Sequence, residues 1–329
     1  FDDSMIPMNL RPNAHDNIRV WDFYTITKSL YHFNKLPWHD LMISGYVTSA
    51  DGSKLAKSKA NSQNSPQEII KLYSADVTRY WANNLTLGKD TAFSLVEFDN
   101  GKKLINKIWN ASKFVLSFLQ DYTPKNVELE IMDKWIIESY KDLYKRYISF
   151  LDKYEIALAL NELEKFFWNF CDNYIEISKR RLYNPDIYGE KACESAKFAC
   201  YYVLLGMLKM FSPVLPHITE EIYMDYFAEK ETSKSIHTSQ YLSLGEDINY
   251  NVIKNGNVVV NIISQVRQFK SENKASLKAE IEEITVTSNL TEFLKLAETD
   301  ILATCSIRKI YYATGEFDLK IGNIIKEEE

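Results

Sequence analysis

No stretch of this sequence approaches the ~20 uninterrupted apolar residues that a membrane-spanning helix requires, and the opening FDDSMIPMNLRPN lacks the basic and apolar regions of a secretory signal. A soluble, cytoplasmic chain with no membrane partner is expected. The four cysteines, Cys171, Cys193, Cys200 and Cys305, form no CxxC pair and have no histidine spacing suited to zinc. They read as reduced core thiols, with no metal site assigned. Net positive charge is lacking as well: 39 Lys and Arg stand against 45 Asp and Glu, a formal charge of −6. That balance excludes indiscriminate coating of nucleic acid but permits a local basic surface, because nearby charges set the field at contact range. There is no tandem repeat and no low-complexity tract. The sequence has no initiator methionine and opens directly into dense patterning, so a portion of a longer polypeptide is expected.

What is present is a large, ring-rich set of core candidates, with 46% hydrophobic residues, 21 Tyr and 17 Phe among 329 residues. The length exceeds what one core usually supports, so two or three structural units are expected. Up to about Phe93 the pattern is mixed. VWDFYTITKSLYHF has helical spacing, LMISGYVTS is a β-branched run that reads as a buried strand stopped by Asp51-Gly52, and NSPQEIIKLYSADVTRYWANNL opens with a capping box of Ser65, Pro66 and Glu68. From about Ser94 to Phe227 long amphipathic helices dominate. Leu160, Leu163, Phe167, Phe170, Tyr174 and Ile177 alternate spacings of three and four, forming one apolar stripe that needs partner helices. From about Asn251 the pattern predicts helix, strand, helix, strand, hence a small α/β unit.

Between the predicted strand and the capped helix lies GSKLAKSKAN, residues 52–61, with three lysines and two serines. Lysines at that position suit a site that holds a polyphosphate while negative charge moves along it, because positioned cations supply most of the acceleration of such a step. Taken alone, a solvated turn explains the same residues. The surroundings are more specific. Lys54-Leu55-Ala56-Lys57-Ser58 resembles the KMSKS signature of class I aminoacyl-tRNA synthetases, and MISGYVTSADGSKLAKSKANSQNSPQEIIKLYSADVTRYW resembles the valyl version of that family. NAHDNIRVWDFY is similar to the family's active-site segment, NKIWNASKF to its first bundle helix, FSPVLPHITEEIY to its bundle closure and VRQFKSENKASL to the link to its C-terminal domain. The blocks occur in family order over nearly the whole chain. Leu55 and Ala56 replace the usual Met and Ser, Ala60 and Ala14 stand where Gly is common, and Asn17 stands where an apolar residue is common. None of the five histidines falls in the HxGH signature of the first half-fold.

The resemblance implies a mainly α chain: the second half of a Rossmann-type α/β nucleotide-binding fold with the lysine loop (residues 1–93), an α-helical anticodon-binding bundle (94–245) and a small C-terminal α/β domain (246–329). It implies the C-terminal portion of an archaeal-like ligase that activates valine with ATP and Mg2+, acts on tRNA(Val) as a monomer, holds no tightly bound cofactor, and is inactive without its missing N-terminal half. Lys54 and Lys57 would grip the triphosphate, with Ser58 orienting the loop. His15, Asp16 and Ile43 would contact the nucleotide; for Asp16 a helix N-cap is the other reading. Trp21 and Asn17 would border the amino-acid pocket, Trp21 being otherwise a core ring. Lys107 and Phe114, with Lys103 on the same helical face, would meet unstacked bases, Phe114 being otherwise a core ring near Trp109. Arg180, with its neighbours Lys179 and Arg181, reads either as a charge complement of a helix C-terminus or as a phosphate contact. Arg267 and Lys270 would lie near the tRNA core. A stand-alone, non-catalytic tRNA-binding module and an isoleucyl or leucyl relative are the alternatives.

Overall fold

The computed structural model describes residues 5–49, 52, 53, 55 and 66–325. In chain order, strand β1 (Met8–Ala14) leads through a short 3-10 turn (His15–Asn17) and a π turn (Ile18–Asp22) into helix α1 (Phe23–Phe33). Strands β2 (Trp38–Ser44) and β3 (Val47–Thr48) follow, then α2 (Pro66–Tyr73), α3 (Ala75–Asn83) and β4 (Thr91–Ala92). The long helices are α4 (Leu95–Ser117), α5 (Ile131–Leu151) and α6 (Ile156–Asn169), the last continuing through a π turn at Phe170–Tyr174 into α7 (Ile175–Tyr183). Helices α8 (Pro185–Tyr188), α9 (Glu190–Phe211), α10 (Pro216–Ile222) and α11 (Tyr250–Glu272) precede β5 (Ile281–Thr287), α12 (Thr291–Leu296), α13 (Glu298–Cys305), β6 (Ile307–Ala313) and β7 (Asp318–Ile321). The chain divides into two compact units: Phe1–Ile108 with Tyr147–Asn161 and Val214–Ile218, and Trp109–Arg146 with Glu162–Pro213 and Thr219–Glu329.

In the first unit β1 and β2 run parallel around α1, in register from Met8 opposite Trp38 to Ala14 opposite Ser44, and β3 runs parallel to β4. The predicted single buried strand LMISGYVTS is therefore two short strands, and of the β2 residues only Trp38 is buried. The break has a local cause. A side chain on Gly45 would strike the backbone of Lys89, and at this close approach the chain leaves β1 to pair with β4. The helical pattern after Pro66 likewise divides at Ser74, whose φ of 91° lies in the left-handed region and whose hydroxyl accepts from Val77 N. Ser65, the expected cap, lies outside the described residues. Ile69, Val77 and Phe98 form a small core with Tyr73, Trp81, Phe93 and Ile105, the Trp81 and Phe98 rings stacked at 5.1 Å. Asp76, 5% exposed, accepts from the backbone N–H of Ile218 at 2.8 Å and contacts His217 Nδ1 at 2.7 Å, capping the first turn of α10.

The second unit is built on the predicted stripe. Leu160 lies in the first unit at its edge, while Leu163, Phe167, Phe170, Tyr174 and Ile177 are each at most 1% exposed. The period continues one step further, since four residues beyond Ile177 comes Arg181, also buried at 3%. Its guanidinium donates to Asp133 Oδ2 at 2.7 Å, to Asp133 Oδ1 at 2.8 Å, to Asp300 Oδ1 at 2.9 Å and to the carbonyl of Ala192 at 2.9 Å. Tyr174 and Ser195 hydroxyls complete the shell of Asp133. One cation thus joins α5, α7, α9 and α13, and the helix-dipole reading does not account for this residue. Gly206 belongs to the same core, because a side chain there would occupy the ring of Tyr140, whose hydroxyl donates to Leu242 O at 2.6 Å. The C-terminal sheet has the order β6-β5-β7, β5 being parallel to β6 and antiparallel to β7. The four-residue β7 was not expected from its polar alternation, DLKI.

Candidate functional site

In parallel α/β units, ligands are held beyond the carboxyl ends of the strands. His15, Asp16 and Asn17 follow directly on the end of β1, Ile43 lies near the end of β2, and the lysine segment follows β3. Beyond β3 the backbone N–H of Ser49 donates to Ser53 O at 2.8 Å, their hydroxyl oxygens lie 2.7 Å apart, and Leu55 N returns to Val47 O at 3.2 Å. Gly52 takes φ 81° in this tight turn, a conformation for which glycine is the unstrained choice. Lys54, Lys57 and Ser58 lie outside the described residues.

Around the end of β1 the polar side chains form a network. Asn13 Nδ2 donates to Asp22 Oδ1 at 2.6 Å, and Asn13 Oδ1 accepts from Asn17 Nδ2 at 2.7 Å and from the backbone N–H of Ala14 at 3.1 Å. Asp22 is 2% exposed, and its Oδ2 has no hydrogen-bond partner among the described residues. The His15 ring meets Tyr46 edge-on at 4.1 Å and places Nε2 3.9 Å from Asp90 Oδ1, while that carboxylate accepts from Tyr46 N at 2.7 Å. Asn13, Asp22, Tyr46 and Asp90 were not singled out in the sequence. The network depends on the π turn bringing positions nine apart together, and no simple spacing marks that. Asp16 is exposed, and the residues at the N-cap positions of the short turns and of α1 are Ala14, Asn17 and Asp22. Trp21 is 62% exposed, so the core reading of this ring does not hold.

The expected RNA-contacting residues lie in two settings. Lys103 is exposed and Lys107 half-buried on α4. Further along that helix Phe114 is half-buried, its ring 5.2 Å from Phe118 and 6.3 Å from Tyr183, with Lys179 Nζ 5.9 Å from its centroid. Arg180 is exposed on α7. Arg267 donates to the carbonyl of Asp172 at 3.0 Å. Lys270 requires a correction: it is 1% exposed, its ammonium donates to the carbonyls of Leu277 and Cys305, and burial holds its pKa below the usual lysine range. An enclosed ammonium committed to two carbonyls ties α11 to the following segments and is not presented to a phosphate.

Comparison with known proteins identifies two family matches along the chain. Residues 2–94 match the family described as tRNA synthetases class I (I, L, M and V), and residues 133–286 match the anticodon-binding domain of tRNA ligase. Among solved structures, the chain resembles the ternary LeuRS–tRNA–LeuAMS complex of Agrobacterium radiobacter, with a TM-score of 0.57 and 13% identity over 98% of this chain and 38% of that one. It resembles Mycobacterium tuberculosis methionyl-tRNA synthetase bound by methionyl-adenylate with a TM-score of 0.57 and 16% identity over 74% of this chain and 50% of that one. At those identities the likeness concerns the fold. The chain belongs to the class I tRNA synthetases. Within the class its kin are valine–tRNA ligases: it is 39% identical to that of Rickettsia canadensis over 98% of this chain and 40% of the relative, and 37% identical to that of Wolbachia pipientis wMel over 96% and 36%. The chain thus spans about two fifths of the length of these relatives.

Proposed function

We propose that this chain is the part of a valine–tRNA ligase that carries the lysine signature and the anticodon-binding bundle, in an enzyme that activates valine with ATP to valyl-adenylate and transfers it to tRNA(Val). One observation carries the reading: identity to valine–tRNA ligases extends over 98% of the chain. The geometry is compatible with it, since His15 and Asp16 follow the end of β1 and Ile43 lies near the end of the parallel strand β2.

In this reading Lys54 and Lys57 neutralise the charge that builds on the departing pyrophosphate, and Ser58 orients the segment. Mg2+ enters with the ATP phosphates. His15, Asp16 and Ile43 hold the nucleotide, and Trp21 and Asn17 border the valine side chain. The nucleotide half-fold occupies residues 1–93, the bundle 94–245 and the small α/β domain 246–329. The bundle holds tRNA through Lys103, Lys107, Phe114 and Arg180, and Arg267 contacts the tRNA core. Since no HxGH signature occurs among the five histidines, activation requires residues beyond those in this chain, and the assembled enzyme works as a cytoplasmic monomer. Aminoacylation by the complete ligase with valine, isoleucine and leucine in parallel tests the assignment. Valine is expected to give the highest kcat/KM, and preferential charging of leucine or isoleucine would overturn it.

A further inference from the structure

A cavity of about 600 Å3 lies within the second unit, lined from α5, the last turn of α9 and residues 236–241. That volume is in the range of small-molecule sites, and no carboxylate is among its lining residues. Lys209 stands in its wall and is 7% exposed. A cation in the last turn of a helix complements the dipole, but one so enclosed also needs acceptors. Its carboxylate partner among the described residues, Glu231, places Oε2 3.8 Å from the ammonium, beyond hydrogen-bond distance, while Oε1 of that residue accepts from the Tyr201 hydroxyl at 2.9 Å. Two further donors line the cavity, the Tyr144 hydroxyl and the Gln240 amide, and neither makes a hydrogen bond to another described residue. The hydroxyls of Ser212 and Ser239, also in the lining, donate to the carbonyls of Lys209 at 2.9 Å and Ile236 at 2.6 Å. An ammonium, a phenol and a carboxamide thus share a cavity that lacks a strong acceptor. A phosphate monoester supplies three charged oxygens, one for each donor, whereas a carboxylate or a backbone diester offers two. The buried Ile236 adds apolar surface for the organic part of such a ligand.

We propose that this cavity is a binding site for a small phosphate monoester, in which Lys209 neutralises the phosphate and Tyr144 and Gln240 donate to its other oxygens. The site uses none of the residues assigned above to the nucleotide, to valine or to tRNA, so it stands apart from that functional reading.

The test is a calorimetric titration of the complete ligase with inorganic phosphate at fixed ionic strength, with the active site filled by a non-hydrolysable valyl-adenylate analogue. The parent is expected to take up phosphate at a site that Lys209→Met and Gln240→Glu each weaken about tenfold and Tyr144→Phe about threefold. Gln240 is exposed, so Gln240→Glu should keep the parent's melting temperature without phosphate and lose the rise that phosphate produces in the parent. Phosphate affinity equal to the parent's in all three variants would place the bound phosphate elsewhere and overturn the proposal. So would a lowered melting temperature in Lys209→Met together with parental phosphate affinity in Gln240→Glu and Tyr144→Phe, the result expected if Lys209 serves Glu231 alone. Saturating tRNA(Val) should leave the phosphate affinity of this site unchanged; competition that disappears in Lys209→Met would assign the cavity to the RNA backbone and overturn the monoester.

Discussion

At Lys270 and Arg181 the positive charge lies inside the protein, with roles fixed by what encloses it. Lys270→Ala removes the donor to the carbonyls of Leu277 and Cys305 and leaves a cavity, so a loss of about 2–4 kcal/mol in unfolding free energy is expected, with tRNA affinity per folded molecule unchanged. Denaturant unfolding and a binding titration on one preparation check both halves. For Arg181 the signal was in the sequence: it continues the alternation of threes and fours through Ile177, which marks position 181 as interior whatever residue occupies it. The carboxylates that neutralise it, Asp133 and Asp300, lie 48 and 119 residues away, and no local pattern connects them. Asp300 adds a pH signature. Burial, opposed by Arg181 and assisted by Asp133, raises its pKa to about 6. Between about pH 4 and 6 the folded state therefore binds more protons at this residue than the unfolded state, and its contribution to stability falls as pH rises through that window. The melting temperature of the parent minus that of Asp300→Asn should decrease from pH 4 to 6 and level off above 7.

Among the elements, those with long period-regular patterns were legible and those defined by contact with another backbone were not. The stripe of α6 and α7 was readable because burial on one face imposes the helical period over many turns. The division of the Leu41-to-Ser49 run was not, because it depends on the Gly45 backbone meeting Lys89, and β7 escaped notice because four alternating residues carry little signal. The α5–α9 contact gives a test at this scale. Gly206 leaves room for the Tyr140 ring, so Gly206→Ala must displace a buried aromatic and is expected to destabilise by about 1–3 kcal/mol or more. A melting curve within experimental error of the parent would refute this packing.

For the molecule as a whole, the two units differ in how completely they bury their rings. The bundle encloses Trp135, Tyr140, Tyr174, Tyr201 and Tyr223, each at 0% exposure. The first unit, whose two sheets are each two-stranded and parallel, exposes Trp21 at 62%, Phe23 at 59%, Tyr24 at 54% and Tyr31 at 86%. Parallel sheets are ordinarily covered on both faces, and apolar surface of this extent binds hydrophobic partners and dyes. The isolated 329-residue chain should therefore bind an environment-sensitive apolar dye, and the double change Trp21→Ser, Tyr31→Ser should lower that signal markedly. The lysine segment was legible as following a predicted strand, whereas β1 (Met8–Ala14), whose end carries His15 and Asp16, was not expected. The polar network of the candidate site was not legible either, because side chains on a π turn meet at separations that no linear pattern encodes.

The most direct measurement is pre-steady-state formation of valyl-adenylate by the complete ligase with Lys57→Ala. If Lys57 stabilises the charge developing on pyrophosphate, the activation rate constant should fall on the order of a hundredfold while valine affinity changes little. A normal activation rate would contradict the account.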